Sequence, residues 1–510
     1  MRKKIIGSKL GLLFWFIILV FDVVFLVMYG RSHIDSDIAS EFILATIRRE
    51  PPTFLVYNWF YSTELVVLDM QPLYSFGLLL FPHNWTMART IGLAIAYLIT
   101  SAAAWALMRE CSLEEYGEWF AGLVLCPISF WYQWQTIYGG EYIWYIIKSL
   151  VALLAIIKIC KSKSKKTTTF WWILLLLVSL LSGMQGVRQG MIFYVPLVPI
   201  AVYLYKRDHK FFFSSAVSSM VYCLGVLINH FIFSQLFIFV SNENQVWGGG
   251  SGSWITSYRW YFESFGYCQT VALGIFEKPQ NIDVMSFNGI SIIIGLIMGA
   301  LVLAALIFDI VKFRKLSEFE QVLVGITIFM LIIIGFVFTY LFGGSNYWQQ
   351  TIPFGFILVL IAIKNSGISK RNYRTIVVSA VAVMALICSL GTCNLFLTDS
   401  MHSEPGLEQA VDYILDNTDY RAGYSYFWLA NKAQFMSNGE IEMYNTSTLP
   451  YEIELNYWLQ RMDHIETAPQ SHYFILVRSG DVVEGEDTVI SRTGADCIYD
   501  DGSYCIYAVD

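Results

Sequence analysis

Residues 10–30 read LGLLFWFIILVFDVVFLVMYG, and the chain continues at once with RSHIDSDIASEF over 31–42. The first run supplies the roughly 20 apolar residues that a membrane-spanning helix needs. It is too long and too aromatic for a cleaved signal peptide, and no small-residue cleavage site follows it, so it is expected to stay as an anchor. The rest of the sequence repeats the theme. Of 510 residues, 56% are hydrophobic, 16% aromatic and only 14% charged, against the about 25% charged of a soluble domain. The expected fold class is a polytopic α-helical membrane protein.

Eleven apolar spans are expected, near 10–29, 88–107, 119–136, 142–160, 168–184, 190–205, 212–240, 289–311, 320–342, 351–364 and 375–397. Placing MRKK in the cytoplasm puts KSKSKK, KRDHK, KFRK and KNSGISKRNYR on the same side. The six cytoplasmic stretches, with the residues that flank the span ends, then hold 20 of the 33 Lys and Arg, whereas the three short outer connections hold one, Arg188. That asymmetry predicts the N-terminus inside and the C-terminus outside. The net charge of −7 says little about partners, and the short basic loops read as topology determinants with no nucleic-acid site. No internal repeat is obvious, which weakens a transporter built on paired halves.

Three larger pieces then face outward: a first loop at 30–87, a long loop at 241–288, and the tail. The layout predicts a transmembrane domain over 1–397 and an extracellular α/β domain over 398–510. In the first loop, Ile38, Phe42, Ala45 and Ile47 recur at helical spacing, predicting a helix along the membrane surface, capped by Asp37 and ended by PPTF. The following apolar segment, with Glu64, Asp69 and His83 scattered in it, is expected to lie in the interface. The long loop contains NQVWGGGSGSW; GGGSG lacks the Lys-Ser/Thr ending of a nucleotide-binding loop, and a flap over a membrane-level cavity is the better reading. In the tail, PGLEQAVDYILDN reads as a helix, GYSYFW and HYFILVRS as strands, and LANKAQFMSNG as a helix closed by glycine.

None of the nine cysteines falls in a CxxC pair or a Cys/His zinc spacing. CIYDDGSYCIY reads as a hairpin. If its loop is Asp500-Asp501-Gly502, Cys497 and Cys505 face each other and a disulfide is expected; a two-residue loop would put them on opposite faces. Asp22 and Lys148 are intramembrane charges, each about 10 Å inside the outer end of its span at the helical rise. Their matching depth predicts a pair, the alternative being that Lys148 meets a lipid phosphate. His33, Asp35 and Asp37 alternate, so an extended segment would gather them as a divalent metal site (Mg or Mn) requires, while a helix would scatter them.

The acidic cluster right after the first span, the outer helices, the odd span number and the soluble outer tail together resemble the GT-C superfamily of membrane glycosyltransferases, such as protein mannosyltransferases and lipid A aminoarabinose transferases. More narrowly, DSDIASEFILA, WFYSTELVVLDMQPLY, GVRQGMIFYVPL and GYSYFWLANKAQFMSNGEIEMY look like a family of large bacterial membrane proteins grouped with those enzymes, which implies no substrate of its own. The broader resemblance implies an enzyme of the plasma membrane, active on the outer face. It would take a sugar from a polyprenyl-phosphate donor, amid membrane lipids, and pass it to a cell-envelope glycan, lipid or protein acceptor.

It also implies a catalytic Asp in the first loop. Better-known members often carry Asp-Glu there and this chain carries Asp35-Ser36-Asp37, so which aspartate acts is left open. Either one would orient the acceptor hydroxyl and take its proton; the bland fate is helix capping and solvation. Arg188, in GMQGVRQG, is the candidate for the leaving phosphate, with an interfacial headgroup contact as the alternative. Arg259 is a second candidate, and Glu41, Glu141, Glu64 and His33 are candidates for substrate contact. Two rivals stand beside this reading: a lipid-linked-sugar flippase, which predicts charges along the spans as a path, and a membrane scaffold, which predicts that the first-loop carboxylates are dispensable.

Overall fold

The structure, a computed structural model, describes residues 2–49, 55–62, 65, 69–240, 261–262, 265, 282–340, 345–368, 371–398, 406–482 and 487–510. All eleven expected apolar segments contain helix. Eight helices among the described residues are long and apolar enough to cross a membrane, and the segment Gly190–Leu204 is a shorter apolar one. The molecule is a polytopic helical membrane protein with a small sheet domain at its C-terminal end. By contact density it divides into two units: residues 1–22, 94–231 and 243–396, and residues 23–93, 232–242 and 397–510. The tail thus groups with the first loop.

The first unit is helical. It takes in most of α1 (Arg2–Tyr29) and α4 (Trp85–Glu110), with α5 (Gly117–Leu125), α6 (Ile143–Lys161), α7 (Lys165–Gln185), α8 (Val195–Leu204) and α9 (His209–Ile228). Next come α10 (Phe287–Val311), α11 (Glu318–Tyr340), α12 (Thr351–Asn365) and most of α13 (Arg371–Thr398). Helices α7 and α9 cross closely because both present glycine: a Cβ on Gly183 would sit 2.0 Å from the Tyr222 carbonyl oxygen, and one on Gly225 would sit 2.3 Å from that of Leu180. Small residues let membrane helices approach backbone to backbone, where dispersion contacts replace the hydrophobic drive that lipid cannot supply.

Two expected spans differ. The segment 119–136 is broken: α5 stops at Leu125, Cys126 is extended before Pro127, and a π-helical stretch resumes at Tyr132–Tyr138. Proline disfavours a helical predecessor and donates no hydrogen bond, so one straight span cannot form there. Helix α12 has 15 residues, about 22 Å at the helical rise, and Thr351–Ile361 are buried throughout. A helix apolar all round belongs inside protein.

The second unit holds α2 (Ser36–Ile47), α3 (Gln71–Leu80), the start of α4 and the tail. Two-residue strands β1 (Phe60–Tyr61) and β2 (Ile238–Phe239) pair in parallel. The tail begins with α14 (Leu407–Asn417) and β3 (Ala422–Tyr426), followed by α15 (Phe427–Met436) and β4 (Glu442–Thr446). Strands β5 (Tyr473–Arg478), β6 (Asp496–Asp500) and β7 (Tyr504–Val509) complete a five-stranded sheet of order β4-β3-β5-β7-β6. The three strands β4, β3 and β5 run parallel, and β7 pairs antiparallel with β5 and β6.

The expected surface helix forms but does not lie on a surface. Eight residues of α2, on nearly every face, are buried. Phe42 packs against Tyr74, Trp85 and Phe435 at centroid distances of 5.3, 5.2 and 5.2 Å. The segment GYSYFW is strand only to Tyr426, where α15 begins. That helix closes as expected, through Asn438 and Gly439 at φ 55° and 79°. A Cβ on Gly439 would stand 2.3 Å from the Trp85 ring.

The disulfide expected between Cys497 and Cys505 is not formed. The Asp501 amide donates to the Tyr504 carbonyl at 3.3 Å, so the turn is centred on Gly502-Ser503, with Asp500 opposite Cys505. A bulge then slips the register and leaves Cys497 opposite Tyr507.

Candidate functional site

The first-loop acids sit at the start of α2. Asp35 is its N-cap: its backbone is extended (φ −90°, ψ 156°) and its side chain accepts from the Asp37 amide at 2.8 Å. A short carboxylate just ahead of a helix satisfies one of the four amides that lack a partner in the first turn. The expected cap was Asp37; it lies instead inside the first turn, its carbonyl accepting from Ser40 Oγ at 2.6 Å. Asp35 is buried, only 3% exposed, while Asp37 is partly buried. Because α2 is helical from Ser36 onward, Asp35 and Asp37 are not on one edge of an extended strand.

Helix α15 of the tail lies along this turn. The Ser36 hydroxyl donates to the Phe427 carbonyl, and the Asn431 amide donates to the Ser36 carbonyl at 3.5 Å. The next residue, Lys432, is 2% exposed, and its charge reaches Asp37. Burial pushes the Asp37 carboxyl up, the neighbouring Asp35 charge pushes it further, and Lys432 pulls it back; the outcome is about 8, against an ordinary 3.8. Sequence reasoning passed over Lys432. The available signal was a lone charge in LANKAQFM, a helix otherwise made of core residues, where a buried lysine needs a partner.

The other first-loop candidates are placed differently. His33 packs edge-on against Tyr29 at 5.7 Å, with Nδ1 2.9 Å from Ser32 Oγ and Nε2 3.4 Å from the Leu397 carbonyl. Glu41 follows Asp37 by one turn on the same helix and is partly buried. Among the described residues no three His, Cys, Asp or Glu side chains group as metal ligands would. Glu64 and Arg259 lie outside the described residues.

The first unit carries a cationic cluster. The Arg188 guanidinium stands 4.8 Å from the centroid of Tyr142 and 5.6 Å from that of Tyr145. The Lys148 ammonium is 5.1 Å from the same Tyr145 ring and donates to Gln185 Oε1. Gln189 braces the turn through Ser149 Oγ at 2.7 Å. Two cations on one ring suit a polyanionic headgroup, since an aromatic face attracts positive charge. Glu141 lies just before Tyr142 and is partly buried.

The expected pairing of Asp22 with Lys148 does not occur. Lys148, 7% exposed, turns to Gln185 and Tyr145. Asp22, 3% exposed, lies within electrostatic reach of Cys126, Tyr132 and Cys393, and its Oδ2 has no hydrogen-bond partner. Equal depth fixed neither helix rotation nor neighbour choice.

No family model and no curated protein matches the sequence. The fold does match solved structures. ArnT from Cupriavidus metallidurans in the apo state superposes with a TM-score of 0.60 at 12% identity, over 99% of this chain and 97% of that one. The same protein bound to undecaprenyl phosphate gives 0.58 at 12% identity with the same coverage. An oligosaccharyltransferase from Archaeoglobus fulgidus gives 0.49 at 12% identity, over 84% of this chain and 62% of that one. The chain shares the fold of ArnT nearly end to end, in line with the layout expected from the sequence.

Proposed function

We propose that the chain is an integral membrane glycosyltransferase, moving a sugar from a polyprenyl-phosphate donor to a cell-envelope acceptor on the outer face of the plasma membrane. The observation that carries this is the carboxylate pair opening α2, with the proton affinity of Asp37 raised to about 8. It occurs in a chain that follows the ArnT fold nearly end to end, and one of those ArnT structures is bound to undecaprenyl phosphate.

The acceptor hydroxyl oxygen attacks the anomeric carbon. The bond from that carbon to the phosphate oxygen breaks, the polyprenyl phosphate leaves with the electron pair, and the configuration inverts. As the new bond forms the hydroxyl proton becomes acidic, and Asp37 takes it. A carboxylate with raised affinity is the better base for this step, because proton transfer gains from a pKa near the working pH. Asp35 fixes the turn that presents Asp37.

The departing phosphate calls for fixed positive charge, and Arg188 with Lys148 is assigned to it on chemistry alone. No step is routed through a divalent cation, for which the described residues offer no three-donor set. Trp428 and Tyr457 in the tail are 52% and 47% exposed, which suits stacking on an acceptor sugar.

The test is the protein in lipid nanodiscs with a panel of polyprenyl-phosphate sugars, scoring release of the lipid phosphate and glycosylated product by mass spectrometry. Transfer from one donor, abolished by Asp37→Asn in folded protein, is expected. Equal rates in that variant would sink the assignment.

A further inference from the structure

The first-loop acid meets a lysine from the opposite end of the sequence. Helix α15 is pinned against the first turn of α2 by Ser36 and its bonds to Phe427 and Asn431. Phe42 meets Phe435 one further turn along each helix. That packing leaves Lys432 almost wholly enclosed. An enclosed ammonium costs several kcal/mol unless an anion compensates it, and methionine or leucine would fill the same space without that cost.

We propose that Lys432 is a positioning residue of the transferase, through which the C-terminal domain keeps Asp37 ionised enough to accept a proton near neutral pH. This rests on the reading that Asp37 is the base. The charged groups on the elements packed around Asp37 are Asp35 at the N-cap of α2, Glu41 on α2 itself, Arg89 at the near end of α4, whose Arg109 and Glu110 lie at its far end, and Lys432 on α15; α3 carries none. Asp35 and Lys432 are the two whose charges act on it. Burial and Asp35 both favour the neutral acid, which cannot take a proton, and the Lys432 charge opposes them. The tail domain therefore belongs to the chemistry: remove its lysine and the base stays protonated over a wider pH range.

The test compares full-length wild type with Lys432→Met, Lys432→Gln and Lys432→Arg in nanodiscs, by transfer rate against pH and by thermal unfolding against pH. In Lys432→Met and Lys432→Gln the rising limb of the rate profile is expected to move up by about one pH unit or more, as loss of a nearby opposite charge does. That is about a tenfold loss at neutral pH, with recovery at higher pH; Lys432→Arg keeps the wild-type limb. A structural role would lower the rate at every pH and leave the limb in place, and that result overturns the proposal, as does an equal shift in Lys432→Arg.

If the wild type transfers no sugar from any donor, the transferase reading fails, and the unfolding data still decide the coupling. The pH range over which wild type loses stability relative to Asp37→Asn should extend upward when Lys432 is neutral. An unchanged range overturns the coupling.

Discussion

Asp35 holds the backbone of Asp37: its Oδ1 accepts the Asp37 amide at 2.8 Å while its own backbone stays extended ahead of the helix. The two acids of DSD therefore have different work, one closing the helix end and the other projecting from the first turn. Asparagine caps a helix about as well as aspartate. Asp35→Asn should fold like wild type, whereas Asp35→Ala should lose about 1 kcal/mol. Asp37→Asn should keep its melting temperature or gain, since it removes a carboxyl that must take up a proton to fold at neutral pH, and should lose transfer. Melting curves and rates on the same preparations check this; transfer lost in Asp35→Asn but kept in Asp37→Asn would reverse the roles.

The raised proton affinity of Asp37 has opposite consequences for rate and stability. The folded protein holds that proton up to about pH 8, whereas an ordinary Asp releases it near 3.8. Folding takes up a proton in between, so the associated stability is complete below about pH 4 and is lost as pH rises through 8. If Asp37 is the base of the proposed transfer, the rate is expected to run the other way, climbing with pH as it ionises. Glu442, held below its usual range by His464, whose Nε2 stands 3.4 Å from its Oε1, has the opposite sign and loses stability as pH falls. The Asp37 contribution is therefore read as the difference between wild type and Asp37→Asn melts from pH 5 to 9. A flat difference would contradict it.

Much of the fold is legible in the sequence because bilayer thickness and helical rise leave few ways to arrange long apolar runs. The tail helices and the β7 hairpin are legible from periodicity and turn residues. What the sequence hid has a common cause, since contacts between distant segments leave no local pattern. The burial of α2 depends on α15, over three hundred residues later, so its amphipathic spacing read as a membrane surface. Lys432 looked like any lysine in a helix. Asp22 and Lys148 matched in depth, but depth carries no information about rotation. The disulfide failed because a turn one residue shorter than the one assumed and the bulge beyond it slide Cys497 along the strand to face Tyr507, two residues from Cys505.

Arg31 fastens the tail to the first loop. Its guanidinium donates to Glu408 at 2.8 Å, to Asp412 at 2.5 Å and to the Met436 carbonyl at 3.0 Å. The two acids lie on α14 and the carbonyl ends α15, so one side chain ties both helices to the chain leaving α1. The groups are about a third to a half exposed, so screening keeps each pair near the about 1 kcal/mol or less of surface ion pairs. Arg31→Gln should lower the melting temperature slightly, with the loss shrinking at high salt. Hydrogen exchange should rise in 407–417 before it rises in the sheet. Uniform exchange across the tail would mean that Arg31 is not the fastening.

Arg188 is the last residue with a separable role. Its guanidinium lies over Tyr142 and Tyr145, sharing the second ring with Lys148. A planar guanidinium can stack on the tyrosines and still offer its fork of N–H groups to a phosphate; an ammonium does the first poorly and the second only as a point charge. Arg188→Lys should therefore raise the KM for the polyprenyl-phosphate sugar about tenfold, the equivalent of one charge-assisted hydrogen bond, with a smaller fall in kcat. Arg188→Gln should raise it further, and inhibition by free polyprenyl phosphate should weaken in parallel. If the arginine only braces the tyrosines, both substitutions would lower the melting temperature while the KM and the product inhibition stay at wild-type values. Steady-state kinetics with added polyprenyl phosphate distinguish the two, because a packing defect does not discriminate a lipid phosphate from any other ligand.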